Sequence, residues 1–390
     1  MKRCLVALAS AFSLVACMAK APAVPADWKA DCVGTMELRF PGDVDVAANT
    51  HHAESEREPD GTMRFLDGEN ADSAHFWFGG SAWVTHPLSD TEAAEFMAPI
   101  ERYADKRWRA LKALERKKAI ADPANSPLLR MAFPQAVGWR ADGRFEGTMR
   151  VGASYLSWLI QLPGSVEQAN QENTRIFEMI TRARPRSLFD IPRQGGVCLP
   201  YVFIPESDAF PSRSIAVAYR LKAHPDITIW LQDSRASVVN PVMKPEAYTA
   251  KGMTNLFWGS RYQSATKKLI SRNDLPLAGY KSLNTFVELT REKRTIRSYE
   301  ESQRALEKVQ RGETVEEPLS AFSTDYGYLA VVRGDPDAKV DTPDLMFYVI
   351  RNAKNASDKG IEPMGKEEFL KLAQTMAASV KRRPVQEEAR

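Results

Sequence analysis

Cys32-Val33-Gly34-Thr35-Met36-Glu37-Leu38-Arg39-Phe40-Pro41 is the stretch from which the fold can be read. Met36, Leu38 and Phe40 alternate with Glu37 and Arg39, the two-residue period of a half-buried strand, and Pro41-Gly42-Asp43 ends the run with turn chemistry. A second stretch repeats the plan: Cys198 leads into Tyr201-Val202-Phe203-Ile204-Pro205, again a cysteine, an apolar strand and a proline. The echo is short, and duplication or coincidence would each account for it.

Around the first of these stretches the pattern stays that of strands. One is expected at Thr62 to Leu66 and one or two within His75 to Val84, broken at Gly79-Gly80. At Ser89-Asp90-Thr91-Glu92 a capping box opens a long helix reaching toward Ile120. Its apolar side is read as Tyr103, Trp108, Leu111 and Leu114, Pro99 should kink or break it, and Arg116-Lys117-Lys118 reads as a solvated last turn. Strands follow at Phe145 to Val151 and Ala153 to Leu162. A second cap, Ser165-Val166-Glu167-Gln168, then opens a helix with Ile176, Phe177 and Ile180 inward, which stops at Pro185.

The segment from Arg184 to Gly196 holds two prolines, paired glycines and little apolar content, which places a domain boundary near residue 194. Beyond it, strands are expected at Ser214 to Leu221, Ile227 to Leu231, Thr285 to Thr290, Tyr326 to Arg333 and Leu345 to Ile350. Residues 235–280 are interrupted by Pro241, Pro245, Gly252, Gly259 and Gly279 and read as a long irregular loop carrying the cluster Phe257, Trp258 and Tyr262. A last helix, Lys366 to Val380, sets Phe369, Leu372, Ala373, Met376 and Val380 at helical spacing. Runs of strands with a few long helices make this an α+β chain, each half a mostly antiparallel sheet packed with helices. The expected division is 32–193 and 194–383, with a disordered tail at 384–390.

The N-terminus carries an address. Lys2 and Arg3 precede an apolar run from Cys4 to Val15 that is too brief for a membrane span, which is the form of an export signal. Leu14-Val15-Ala16-Cys17 resembles the bacterial lipoprotein cleavage box. That resemblance implies removal of residues 1–16, acylation of Cys17 and a Pro/Ala-rich tether over 17–31. A plain cut after Ala19-Lys20-Ala21 or Ala21-Pro22-Ala23 is the alternative, and export follows from both. The expected location is the periplasm, anchored to a membrane through lipid. The absence of an acidic residue at Met18 or Ala19 favours the outer membrane.

Export decides how the cysteines read. With Cys4 removed and Cys17 acylated, Cys32 and Cys198 remain, and in an oxidising compartment the expectation is a disulfide between them, two separate buried thiols being the alternative. The loop closed would span 166 residues (198 − 32).

Several classes of function find no support. The chain has 53 basic and 50 acidic side chains, and losing Lys2 and Arg3 moves the formal charge from +3 to +1, with no basic stripe for nucleic acid. Trp258-Gly259-Ser260-Arg261 lacks the G-x-S-x-G form of a hydrolase elbow, and the five histidines, His51-His52 included, show no metal-ligand spacing. No CxxC pair and no phosphate-cradling glycine loop is present, so no catalytic, metal or cofactor residue is assigned. A non-enzymatic binding protein is the reading that remains.

The layout resembles the periplasmic lipoprotein immunity proteins that neutralise type VI secretion lipase effectors of the fourth class. The resemblance rests on the box ending at Cys17, Cys32-Val33-Gly34 with Met36 to Pro41, Gly196-Val197-Cys198, and Leu277-Ala278-Gly279 ahead of a strand. It departs from that pattern at Tyr280, where a second glycine is expected. It implies two domains that together grip a phospholipase or lipase effector and obstruct its substrate entrance. Phe257, Trp258 and Tyr262 are the expected anchors, with core packing as their alternative. The competing function is an envelope lipoprotein that binds a small ligand or maintains the cell surface.

Overall fold

The computed structural model of the chain describes residues 22–46, 74–76, 80–116, 136–141, 144–161, 180–205, 213–236, 248–262, 265–292, 322–338 and 342–386, with isolated residues between 303 and 312. The chain begins with strands β1 (Lys29–Val33), β2 (Met36–Phe40), β3 (Val44–Val46), β4 (Ala74–Phe76) and β5 (Gly80–Val84). Helix α1 (Asp90–Arg116) precedes β6 (Ala136–Ala141), β7 (Arg144–Val151), β8 (Ser154–Gln161) and the short β9 (Arg184–Pro185). Next come β10 (Gly196–Leu199), β11 (Val202–Pro205), β12 (Arg213–Leu221), β13 (Ile227–Ser234) and helix α2 (Ala250–Arg261). The chain closes with β14 (Ala265–Asn273), β15 (Leu283–Glu292), β16 (Phe322–Val332), β17 (Asp344–Arg351), helices α3 (Ala353–Asp358) and α4 (Lys366–Ser379), and β18 (Lys381–Arg382).

Among the described residues the strands form one large antiparallel sheet and two small ones. The large sheet runs β14-β15-β16-β17-β13-β12-β4-β5-β8-β7-β6, with β3 also on β12. The small sheets are β1-β2-β18 and β10-β11-β9. The boundary expected near residue 194 falls between β9 and β10, and the large sheet crosses it where Arg213 and Ser214 of β12 pair with Phe76 and His75 of β4.

Strands β15 to β17 carry core residues on both faces, which explains the continuous apolar runs Tyr328–Val332 in β16 and Leu345–Ile350 in β17. Phe286, Tyr328, Ala330, Phe347 and Val349 face a core shared with Leu38 and Phe40 of β2 and with Phe369, Ala373 and Met376 of α4. Alternate residues Val287, Leu289, Leu329, Val331, Tyr348 and Ile350 face the other way, under α2. Burying each such large apolar side chain contributes about 1.5–3 kcal/mol. Gly327 lets α2 approach: a Cβ there would lie 2.5 Å from the Trp258 ring.

The capping box forms as expected. Ser89 donates its backbone N–H (2.7 Å) and its hydroxyl (2.6 Å) to the Glu92 carboxylate, and the Glu92 N–H returns to the Ser89 Oγ at 3.3 Å. Helix α1 continues through Pro99 as one element and turns Ala93, Ile100 and Ala104 inward, leaving Tyr103 exposed. Of the apolar side read from the sequence, Tyr103 is thus exposed and Trp108 is partly buried, while the side chains of Leu111 and Leu114 lie outside what the structure describes.

The segment read as an irregular loop, 235–280, contains α2 and β14. Thr249 caps α2 by accepting from the Gly252 N–H at 3.0 Å, so Gly252 and Gly259 sit inside a helix instead of breaking it. The strand at Thr62 to Leu66, most of the helix beginning at Ser165, the lipoprotein box with Cys17, and His51-His52 lie outside the described residues. The tether stretch 17–31 already includes the start of β1 at Lys29. At the other end, the Gln386 N–H donates to the Arg193 carbonyl at 2.8 Å.

Candidate partner-binding site

The small sheets meet at a clasp. β1 carries Cys32 against Cys198 of β10, and the two form the expected disulfide, with Cα atoms 5.7 Å apart. Gly34 and Cys198 exchange two backbone hydrogen bonds of 2.9 Å beside it. Asp31, the residue before Cys32, is sealed from solvent and receives Arg186 Nη1 at 2.6 Å and the Tyr219 hydroxyl at 2.9 Å. Arg186 also donates Nη2 to the Cys32 carbonyl (3.1 Å) and Nε to the Leu199 carbonyl (2.8 Å). One guanidinium thus spans the main chain next to both half-cystines.

Burial opposes charge on Arg186, but the field of Asp31 and the hydrogen bond to it hold the guanidinium above its ordinary pKa. Burial, with the Asp31 charge added, raises the Tyr219 phenol well above its usual value, so its hydroxyl remains a donor. A pair this deeply buried contributes little net stability. Removing one partner is expensive, however, because the other is left charged in an apolar setting.

Two aromatic residues are held by the same clasp in a conformation that bulky side chains avoid. Phe189 has φ 69° and Tyr201 has φ 60°. The left-handed region costs an L-residue about 1–2 kcal/mol, and glycine or asparagine is the usual occupant. The Phe189 N–H donates to Asp31 Oδ1 at 3.3 Å, and the Arg186 N–H donates to the Tyr201 carbonyl at 3.0 Å. Both rings are only partly buried, packed on the core with Leu188. Lys29 Nζ stands 5.4 Å from the Phe189 centroid, and the His86 ring lies 5.8 Å from that of Tyr201.

The C-terminal strand locks the arrangement. β18 adds to β2, the Arg383 N–H donates to the Thr35 carbonyl at 2.9 Å, and the Arg383 guanidinium donates to the carbonyls of Pro192, Gln194 and Gly196. Arg184 and Arg383 both stand over the Phe203 ring, at 4.8 and 5.2 Å. Desolvation, with the neighbouring Arg186 and Arg184, pushes the Arg383 pKa down to about 10.

Phe257, Trp258 and Tyr262 are brought together, but inside: 9, 7 and 4 % exposed, they pack on Tyr348 beneath α2, the core alternative raised from the sequence. Trp258 Nε1 donates to Thr285 Oγ1 at 3.0 Å, and the Tyr262 and Tyr348 hydroxyls share a hydrogen bond. The outer face of α2 instead shows Leu256, 58 % exposed. A groove of about 500 Å³ opens between the N-terminal segment and α4, with Trp28, Leu221, Met364 and Leu372 along its wall and Asp43 and Lys371 among its polar residues. Sequence reading missed Asp31, Arg186, Tyr219, Phe189 and Tyr201. The available signal was an acidic residue directly before a cysteine and two arginines flanking Pro185 in an otherwise loop-like segment.

No protein-family model matches the sequence, and no curated protein does. Among solved structures, the apo form of TplEi, an immunity protein of the type VI secretion system from Pseudomonas aeruginosa, aligns with a TM-score of 0.52 and 15 % identity over 92 % of this chain and 98 % of that one. Its fold is that of TplEi. The peptide-bound TplEi structure aligns with a TM-score of 0.50 and 13 % identity, covering 92 % of this chain and 99 % of that one. A chain of the Tle4–Tli4 complex aligns at 0.51 and 14 %, covering 92 and 98 %. The likeness to TplEi therefore takes in the large sheet and both small ones together, not one half alone. At these identities it is a likeness of backbone, and the TplEi-like fold supplies no residue-level assignment.

Proposed function

We propose that this chain is an immunity protein: after export it binds a cognate type VI secretion phospholipase or lipase effector in the periplasm and blocks it, protecting the cell or its sisters. The observation that carries the reading is likeness over 92 % of the chain to TplEi and to a chain of the Tle4–Tli4 complex. It agrees with the short motifs the sequence shares with lipase-effector immunity lipoproteins. The buried Cys32–Cys198 disulfide suits an oxidising compartment. Anchoring through Cys17, five residues before the first described residue, would hold the inhibitor at the surface where a lipase works and raise its local concentration there. Inhibition in this reading is steric and stoichiometric, with no turnover by this chain. It calls for an interface of at least standard size, about 1,600 Å² in total.

The deciding experiment is protection. The reading expects an effector gene next to this one; that effector is sent to the periplasm with and without this protein, and the expected outcome is toxicity that co-expression relieves. Toxicity unrelieved by the mature, exported protein would discard it. The groove beside Trp28 favours a second reading, an envelope lipoprotein that takes a small apolar ligand. That reading expects a co-purifying small molecule and no protection.

A further inference from the structure

The structure points to a specific contact surface, and we infer that Phe189 and Tyr201 are the anchors through which this protein grips its partner's apolar protein surface. The inference rests on the immunity reading for the partner's identity and on the clasp for the location.

Three observations converge. First, the backbone at both positions is left-handed, φ 69° and 60°, where glycine or asparagine would be relaxed and an aromatic ring is not. Strain of this kind persists only where the surroundings enforce it, and it collects at binding sites. Here the enforcing groups are identified: the Asp31 carboxylate takes the Phe189 N–H, and the Arg186 backbone N–H holds the Tyr201 carbonyl.

Second, neither ring is consumed by the core. Both are partly exposed, whereas their neighbour Phe203 in the same small sheet is fully buried. Phe189 stands third in the turn closed by the Asp190 N–H on the Ser187 carbonyl, and Tyr201 in the two-residue turn between β10 and β11, so each turn presents its ring at the surface.

Third, the mounting is rigid. The two loops carrying these rings are tied together by the Arg186–Asp31 pair and the disulfide and by Arg383 on the Pro192, Gln194 and Gly196 carbonyls. Preorganised aromatic residues with few torsions lose little entropy on binding, which is what the centre of a tight protein interface requires. Lys29 beside Phe189 and His86 beside Tyr201 give these rings a polar surround.

The test uses Phe189→Asn and Tyr201→Asn, singly and together, in the full mature chain. Asparagine tolerates the left-handed backbone, so the ring is removed without imposing a new strain. Binding to the effector whose toxicity this protein relieves is measured by calorimetry, and folding by thermal unfolding. The expected result is an unfolding midpoint within a few degrees of the wild type and a loss of affinity of at least tenfold for each single variant. Wild-type binding with unchanged affinity in both asparagine variants would overturn the anchor assignment while leaving the immunity reading intact. No binding by the wild type would overturn both. If a variant fails to fold, photo-crosslinking residues placed at 189 and 201 decide the matter. Covalent capture of the effector supports the assignment, and capture only from a control position such as Leu256 refutes it.

Discussion

Arg186 Nη1 meets Asp31 Oδ1 at 2.6 Å with both side chains shut away from water, and this contact joins a residue of the first small sheet to one 155 positions along the chain. Breaking it from either side strands a buried charge. Asp31→Asn and Arg186→Met should each lower unfolding free energy by about 3–5 kcal/mol. Tyr219→Phe removes only one hydrogen bond to the carboxylate and should cost about 1.5–3 kcal/mol. Urea unfolding of the three variants checks the order, and Tyr219→Phe costing as much as Asp31→Asn would contradict it.

The disulfide acts on the same junction through the unfolded chain. Closing a loop of 166 residues stabilises by roughly 5 kcal/mol in the chain-entropy view. The Cys32→Ala/Cys198→Ala double variant should lose up to about that amount. Because both sulfurs are fully buried, brief exposure of the native wild type to a mild reductant should leave it intact. Mass analysis without reductant should show one internal bond, and two free thiols would contradict the clasp.

Helix α1 should lose support in acid. The Ser89 hydroxyl and then its backbone N–H hold the Glu92 carboxyl below its ordinary value of 4.5. A carboxyl depressed in the folded state contributes stability that is complete above the unfolded value and fades as pH falls through the lower, folded one. Glu92→Gln should therefore weaken the protein at pH 7 and flatten its stability profile below about pH 4.5. Parallel profiles for the variant and the wild type would count against the capping box.

Gly327 is where α2 meets the sheet. Gly327→Ala puts a methyl group into the Trp258 ring and should destabilise by about 1–3 kcal/mol. The near-ultraviolet signal of Trp258 should change with it. Substitution at Gly259 meets no neighbouring atom and serves as the control.

The periodic strands and the caps were legible because each depends on neighbours in sequence. Met36 to Phe40, Ser214 to Leu221 and Tyr326 to Arg333 announce strands through their own patterns, and Ser89 with Glu92 announces a helix start. Strand β14 was not legible: it lies at the sheet edge, and Thr266-Lys267-Lys268-Leu269 is exposed on consecutive residues, so no alternation survives. Helix α2 was hidden by two glycines whose cost is met by packing Phe257 and Trp258 under it. The clasp was half legible. Two cysteines in an exported chain suggest a bond, but nothing local links Asp31 to Arg186, or tells Phe189 and Tyr201 from core aromatics. Those relations exist only once the strands between them are in place.

If this chain acts by occupying an effector, titrating the mature protein into the purified effector while ester hydrolysis is followed should show activity that falls linearly and ends at one equivalent, with a one-to-one complex on gel filtration. Hydrolysis undiminished by an excess of folded, disulfide-bonded protein would contradict it.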